Sequence, residues 1–235
     1  AESDARGVYL LGIGQALMLL GFSNDAAAAL TEALEATAKS GDQELELGVL
    51  ETLLPIYQET NATAAARQSA ERILTLVEQR DDPHLLTQAL AVLSQMLLRS
   101  EDQAEHLPRA IELAERALAL QHSLGSQEDL LEAVLNASVV WSQAGDSTRA
   151  LEYGEQAVDM ARRLRNRALE AAALLQLGET YSRHGEPRRV LRTYEKALEA
   201  ARRSNVKPLV ALSSWRLANS VEQSGNGRAA LKYYE

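Results

Sequence analysis

The sequence predicts an all-α fold in which pairs of antiparallel helices stack one after another. Apolar and small residues recur at steps of three and four, which is the spacing of one buried face of an α-helix. A turn residue interrupts this spacing, after which the spacing resumes. The interruption returns at a fixed interval: Gly21 and Asn61 lie 40 residues apart, as do Gly185 and Gly225. An interval of this length is typical of repeat proteins built from helical hairpins.

The clearest helical hairpin lies between Leu174 and Ala197. Its turn contains Gly185 and Pro187, and apolar or small residues occupy helical positions on both sides. These positions are Leu174, Leu177, Gly178, Tyr181, Val190, Tyr194 and Ala197. The segment resembles the tetratricopeptide repeat, whose first helix (helix A) carries W-x2-L-G-x2-Y and whose second helix (helix B) carries A-x3-F.

The resemblance extends over essentially the whole chain, because the same positions recur in six units. The turn between helix A and helix B falls at Gly21, Asn61, Glu101, Gly145, Gly185 and Gly225. The close-packing position of helix A is filled by Gly14, Leu54, Ser94, Ser138, Gly178 and Ala218, and the first small position of helix B by Ala26, Ala66, Ala110, Ala150, Val190 and Ala230. The 44-residue interval from Glu101 to Gly145 indicates a four-residue insertion in the third unit, and we expect its turn to run from Ser100 to Pro108.

The resemblance implies a right-handed TPR-like superhelix (an α-solenoid) of about six helix-turn-helix repeats. The usual period of the family is about 34 residues, and the longer period resembles the subset found in bacterial signalling regulators. We expect one solenoid domain over residues 1–235, with repeats at about 4–40, 42–80, 82–124, 126–164 and 166–204 and a truncated repeat at 205–235. Solenoids need a polar terminal repeat, so we expect the chain to be a fragment of a larger protein.

Composition and charge restrict the function classes. The chain has no cysteine, which excludes disulfides and thiolate chemistry and favours a cytoplasmic location. Its net charge of −9 argues against nucleic-acid binding, and no segment predicts a membrane span. Residues 1–120 carry 8 basic and 19 acidic residues, whereas residues 121–235 carry 16 basic and 14 acidic ones. We interpret the basic excess of the second half as solvated helix ends.

No motif in the sequence predicts catalysis. His84, His106, His122 and His184 stand at no metal-ligand spacing, and HExxH, G-x-S-x-G and P-loop motifs are missing from the sequence. The carboxylates lie mostly on helix surfaces, where four-residue pairing with arginine or lysine is expected. We therefore expect a protein that is not an enzyme and that uses no metal and no cofactor.

The resemblance places the binding surface on the helices A, which line the inner, concave face of such a superhelix. Amide side chains there would both donate to and accept from a peptide backbone, and arginines would bind a carboxylate through two hydrogen bonds. The predicted partner-binding residues are Gln88, Gln95, Arg99, Leu135, Asn136, Val139, Gln143, Leu175, Gln176, Glu179, Arg183, Trp215, Arg216 and Asn219. The Lys and Asn pattern of the family's carboxylate clamp is mostly missing, so we do not expect a receptor for chaperone tails.

The function favoured by the resemblance is protein–protein interaction. We expect the groove of units three to six to bind a peptide or a partner protein. The module would be the regulatory or sensing part of a larger bacterial signalling protein, of the transcription-regulator or diguanylate-cyclase type.

Two alternatives stay open. Residues 7–22 are apolar on both faces of their helix, which also favours a homo-oligomerisation module that pairs through this helix or through the open C-terminal end. The second alternative is a domain that senses a small ligand through Glu179, Arg183 and Arg216.

Overall fold

The computed structural model describes residues 2–99 and 102–234, and in these ranges the chain forms twelve α-helices and no strand. The helices are α1 (Glu2–Leu19), α2 (Ser23–Ser40), α3 (Gln43–Glu59), α4 (Thr63–Glu78), α5 (Pro83–Leu98), α6 (Gln103–Leu124), α7 (Gln127–Gln143), α8 (Ser147–Arg163), α9 (Arg167–Arg183), α10 (Pro187–Ser204), α11 (Lys207–Gln223) and α12 (Gly227–Tyr234). Odd-numbered helices correspond to helix A of each repeat and even-numbered ones to helix B. The prediction of an all-α fold with about six helical hairpins is confirmed.

The turns between these helices form where the sequence predicts them. All the described A-to-B turn positions have a left-handed backbone, with φ between 55° at Asn61 and 86° at Gly225. Most B-to-A turns have the same conformation, as at Gly41 and Asn205. A left-handed residue stops a helix and satisfies its last carbonyl groups, so the turn residues set the helix lengths. The turn position at Glu101 lies outside the described residues.

The expected long turn of the third unit is shorter than predicted. Helix α6 begins at Gln103, because the carbonyl of Asp102 accepts hydrogen bonds from the backbone N–H groups of Glu105 and His106. Pro108 therefore lies inside α6 instead of ending the turn. A proline in the sixth position of a helix removes one hydrogen bond near its start, and the rest of this 22-residue helix outweighs that loss.

The chain divides into two compact units, Ala1–Leu113 and Ala114–Glu235, which we describe separately. In the first unit, α1 packs against α2 and α3, and α4 packs against α3 and α5. Its core includes Leu30, Leu53 and Ile56. Helix α1 thus contacts its own helix B and the next helix A, which is how stacked hairpins bury a continuous core. The single-domain assignment of residues 1–235 stays a prediction.

The second unit repeats this packing with α7 to α12. Helix α9 contacts α7, α8, α10 and α11, and the core of the unit includes Leu131, Leu174 and Leu217. The positions predicted to pack closely are buried here: Ser138, Gly178 and Ala218 on the helices A, and Ala150, Val190 and Ala230 on the helices B. Because these positions face inward, the opposite face of α7, α9 and α11 is left for other contacts.

Candidate functional site

Ten of the predicted partner-binding residues share one face of α7, α9 and α11 in the second unit. They recur with the 40-residue period, so that Leu135, Leu175 and Trp215 occupy equivalent positions. Eight of the ten side chains are half-buried, whereas Arg183 and Trp215 are exposed. We call this surface the A-helix face; it consists of Leu135, Val139, Gln143, Leu175, Gln176, Glu179, Arg183, Trp215, Arg216 and Asn219.

A chain of polar contacts crosses the A-helix face from α7 to α11. Arg183 of α9 donates from Nη1 to Oε1 of Gln143 on α7 at 2.9 Å, and its Nε lies 3.6 Å from Oε1 of Glu179. Arg216 of α11 donates to the other carboxylate oxygen of Glu179 at 2.5 Å. The three helices are therefore linked through Glu179, which is the central group of the chain of contacts.

The charge on this face is unbalanced. Arg183 and Arg216 share one carboxylate, which leaves one positive charge in excess, and each arginine side chain is 39% exposed. The guanidinium of Arg216 also lies 5.3 Å from the ring centroid of Trp215, within the range of a cation–π contact. Trp215 is itself 47% exposed. An aromatic ring beside a partly neutralised cation suits a ligand that has both an apolar group and an acid.

Tyr194 of α10 lies beneath the face and fixes the spacing of its helices. Its ring is 2% exposed and occupies the space beside Gly178. The pKa of Tyr194 is raised from 10.0 to about 12, mainly by burial and next by the Glu179 carboxylate, while the Arg216 guanidinium acts in the opposite direction. The phenol therefore stays neutral under the buried side of the Glu179–Arg216 pair.

We expect Tyr194→Phe to make the protein more resistant to alkali. A pKa raised in the folded state contributes stability that is complete below pH 10 and is lost as the pH rises through about 12. The wild type should lose up to roughly 2 kcal/mol more than Tyr194→Phe between these two pH values. Urea denaturation at a series of pH values measures the difference. Tyr57→Phe, which changes a partly buried phenol in the first unit, is the control, and equal losses in all three proteins would contradict the prediction.

A second carboxylate is held at the entry to α9. Glu170 is buried, with 7% of its surface exposed, and it accepts hydrogen bonds from Arg162 at 2.9 Å and from Arg167 at 2.5 Å. Burial alone would raise the pKa of Glu170, but the two arginines outweigh burial, and the pKa lies below its ordinary value. The arrangement fastens the end of α8 to the start of α9.

The end of the second unit contains a cavity of about 700 Å³ next to the A-helix face. Its lining is mainly apolar and aromatic, with two cations at one edge. The lining residues are Arg202, Asn205, Lys207, Val210, Ala211, Ser214, Trp215, Tyr233 and Tyr234. Trp215 therefore belongs to both surfaces. In the part of the chain that the structure describes, no group of three or more His, Cys, Asp or Glu residues is placed to hold a metal ion.

A sequence model of the tetratricopeptide repeat matches residues 129–203, which include α8, α9 and most of α7 and α10. Residues 129–203 are tetratricopeptide repeats. The prediction of the family is confirmed, whereas the assignment to its 40-residue subset stays a prediction.

Solved structures with the same fold span most of the chain. BtubC from P. vanneervenii is 18% identical, with a TM-score of 0.66 over 90% of this chain and 87% of that protein. A signal transduction ATPase with numerous domains from Pyrococcus horikoshii, which has a tetratricopeptide repeat sensor, is 17% identical with a TM-score of 0.68. This match covers 95% of the present chain but 34% of the ATPase. A Rap protein in complex with competence and sporulation factor is 13% identical, with a TM-score of 0.70 over 97% and 73% of the two chains.

At these identities the likeness establishes the fold alone. No curated protein sequence matches the chain. Among the described residues, no helix is long and apolar enough to cross a membrane.

The remaining predicted residues lie outside the A-helix face. Asn136 is 4% exposed, so its amide is buried between helices and does not belong to the surface, contrary to expectation. Gln88, Gln95 and Arg99 lie exposed on or directly after α5 in the first unit, where their role stays a prediction.

The second unit makes one contact twice that was not predicted from the sequence. Trp141 donates from Nε1 to Glu115 at 2.7 Å, and the guanidinium of Arg149 lies 4.2 Å from the centroid of its ring. One repeat later, Tyr181 donates to Glu155 at 3.2 Å, and Arg189 lies 5.3 Å from the centroid of its ring. The members of the two sets are Glu115, Trp141 and Arg149, and Glu155, Tyr181 and Arg189. Each member of the first set is 40 residues from its counterpart, so the 40-residue spacing of the glutamates and arginines was the available signal.

Proposed function

We propose that the chain is a non-catalytic protein–protein interaction module that binds an acidic peptide segment on the A-helix face of the second unit. The observation that carries the proposal is the pair of arginines, Arg183 and Arg216, that share the single carboxylate of Glu179 beside the exposed ring of Trp215. A carboxylate from a partner would neutralise the remaining positive charge. Arginine is suited to this task because its planar fork binds a carboxylate through two parallel hydrogen bonds.

The apolar part of the face supports binding of a peptide rather than of a free anion. Leu135, Val139 and Leu175 are half-buried and lie beside the polar residues of this face. Trp215 stands on α11 at the position equivalent to Leu135 and Leu175. Side chains of an extended peptide would pack against these residues while its backbone meets the amides of Gln143 and the other polar residues. Burying such side chains supplies affinity, and the arginines supply selectivity for acids.

Two of the structures with the same fold support a role in sensing. One is the Rap protein bound to competence and sporulation factor, and the other carries tetratricopeptide repeats as the sensor of a signal transduction ATPase. We infer that the present chain is the regulatory or sensing part of a larger bacterial signalling protein that acts in the cytoplasm. The predicted residues Gln88, Gln95 and Arg99 of the first unit belong to the same proposal as a further contact surface.

The proposal is tested with peptides selected from a random library on the immobilised protein. We expect the selected peptides to be enriched in Asp and Glu and to bind Arg183→Met and Arg216→Met more weakly. Loss of one charge-assisted hydrogen bond costs about 1.5–3 kcal/mol, so the Kd measured by fluorescence polarisation should rise by roughly 10- to 100-fold. Glu179→Gln should strengthen binding, because both arginines are then released to the peptide.

The matched control is Arg203→Met. Arg203 lies on α10, is paired with Glu199 and is 60% exposed, so its removal also deletes a positive charge without touching the A-helix face. If Arg203→Met weakened peptide binding as much as Arg183→Met and Arg216→Met do, the effect would come from the net charge of the protein and not from the A-helix face. If the wild type and the Arg183→Met/Arg216→Met double variant selected the same peptides, the A-helix face would not be the surface that binds them.

A further inference from the structure

The first helix, α1, has a buried and an exposed side. Gly7, Leu10 and Gly14 face the core of the first unit. The opposite side is exposed, including Tyr9 at 69% and Leu19 at 90%. We call this side the outer α1 face; it consists of Ala5, Val8, Tyr9, Gly12, Gln15, Ala16 and Leu19. On a helix of 3.6 residues per turn, these positions form a single stripe along the whole element.

This stripe is apolar in an otherwise acidic region. Residues 7–22 contain no charged residue, although residues 1–120 carry 11 more acidic than basic residues. Leu20 and Phe22, which follow α1 directly, extend the apolar surface and are 70% and 54% exposed. Burying these large side chains would stabilise a complex. A charged partner finds no complementary group on this surface.

The glycines of α1 give an independent indication. A Cβ atom at Gly7 would lie 2.7 Å from a side-chain carbon of Leu45, and one at Gly14 would lie 2.4 Å from Leu30, so both glycines are required by internal packing. A Cβ atom at Gly12 would meet nothing within 4 Å. Glycine inside a helix is destabilising relative to alanine, and no packing contact within its own unit requires Gly12. A bare Cα in the middle of an apolar stripe permits close approach of another backbone.

We propose that the outer α1 face binds the same face of a second copy of the chain, with the two α1 helices antiparallel and crossing at Gly12. In this arrangement Gly12 meets its symmetry mate, and residues at equal distances on either side of it meet each other. Leu19 then lies opposite Ala5, and Val8 opposite Ala16. Leu19 and Val8 thus each meet an alanine, and Tyr9 meets Gln15, which gives the self-complementarity that a two-fold interface requires. A parallel pair would instead oppose Leu19 to Leu19.

The absence of charge selects a second copy over other occupants. The acidic surface of the first unit would repel another copy at most other places, whereas the outer α1 face brings no like charges together. An 18-residue helix is roughly 27 Å long, so one helix pair forms an interface at the small end of the stable range. We therefore expect a reversible dimer with a Kd on the order of micromolar.

Cross-linking tests the register directly, because the chain contains no cysteine of its own. Gly12→Cys should form an intermolecular disulfide under mild oxidation. Tyr9→Cys alone should not, but an equimolar mixture of Tyr9→Cys and Gln15→Cys should, since these two positions face each other in the antiparallel pair. The control is Leu212→Cys on α11, at an apolar position that is 43% exposed. Self-cross-linking of Tyr9→Cys as strong as that of the mixture, or of Leu212→Cys as strong as that of Gly12→Cys, would overturn the proposal.

The mass of the unmodified protein gives the second test. Sedimentation equilibrium over a micromolar concentration series should show a shift from monomer to dimer in the wild type. Leu19→Glu should stay monomeric throughout, because it places two carboxylates in the interface, while Leu212→Glu should behave as the wild type. Circular dichroism shows that each variant is folded. A wild type that stays monomeric over the whole series, or a Leu19→Glu variant that still dimerises, would refute the arrangement.

Discussion

Replacing Gly178 with alanine is expected to lower the free energy of unfolding by about 2 kcal/mol. A Cβ atom at this position would lie 2.4 Å from Cε1 and 2.7 Å from Cδ1 of Tyr194, well inside van der Waals contact. The ring is 2% exposed and is enclosed by its own unit, so it has no free space to enter. Overpacking of this kind costs about 1–3 kcal/mol, and the better helix propensity of alanine returns only about 0.5–1 kcal/mol. The melting temperature should fall by roughly 4–8 °C.

A matched substitution separates the clash from the general effect of glycine. Gly48 also lies inside a helix A, but a Cβ atom there would be 3.6 Å from Leu11, an ordinary contact. Gly48→Ala should therefore raise stability by about 0.5–1 kcal/mol. The double variant Gly178→Ala/Tyr194→Leu should be more stable than the sum of the single changes predicts, because the smaller side chain makes room for the new methyl group. Strict additivity in urea denaturation would show that the two positions do not compete for space.

The pair of Gly178 and Tyr194 also shows why the fold could be predicted from the sequence. Both residues occupy repeat positions, and the repeat brings a small residue of helix A opposite a residue of helix B in every unit except the second, which has Leu54. Gly14 and Leu30 form the same pair in the first unit, where a Cβ atom added at Gly14 would also lie 2.4 Å from a side-chain carbon of Leu30. A pattern repeated six times carries far more information than one segment, so helix number and turn positions followed from it.

The contacts that define the candidate site could be predicted only in part. The period places Glu179 and Arg216 on one face, but it does not show that their side chains meet, because that depends on long side chains from different helices. Asn136 has the same repeat position as Gln176 and Arg216 and yet is buried. Its shorter side chain stays between the helices, whereas Gln176 and Arg216 extend to the surface. The repeat position therefore predicts on which face of a helix a residue lies, and the length of its side chain determines whether it reaches the surface.

The last described repeat shows how the same positions diverge. Val221 stands 40 residues after Tyr181, and Ala229 stands 40 residues after Arg189, so the aromatic–arginine contact of the two preceding repeats is not formed there. Similarly, Val210 occupies the position of Glu170, while Arg202 and Lys207 replace Arg162 and Arg167. The helix packing persists with either set of residues. Polar contacts between repeats are thus added to a fold that the small and apolar positions already specify.

Removal of both arginines that hold Glu170 is expected to be the second most damaging change. In Arg162→Met/Arg167→Met, the carboxylate of Glu170 would stay buried without a cation. Breaking a fully buried ion pair costs about 3–5 kcal/mol. The guanidinium side chains here are 45% and 44% exposed, so solvent weakens the pair, and we expect a loss of about 1–3 kcal/mol. Either single substitution should cost less, because the other arginine still donates a hydrogen bond.

Rescue of that variant by Glu170→Val would identify the unpaired charge as the cause. Valine is the residue that the chain itself has at the equivalent position, Val210, so it is compatible with the packing of a helix A. The triple variant should recover most of the lost stability at pH 7. The double variant should recover part of it on acidification, because a protonated Glu170 no longer carries a buried charge.

The stability of the wild type should change in the opposite direction. The pKa of Glu170 is lowered in the folded state, so the stability that its carboxylate contributes is lost as the pH falls through this lowered pKa. Urea denaturation at pH 7 and near pH 4 distinguishes these outcomes. A triple variant no more stable than the double one at pH 7 would mean that the methionines, and not the isolated carboxylate, destabilise the protein.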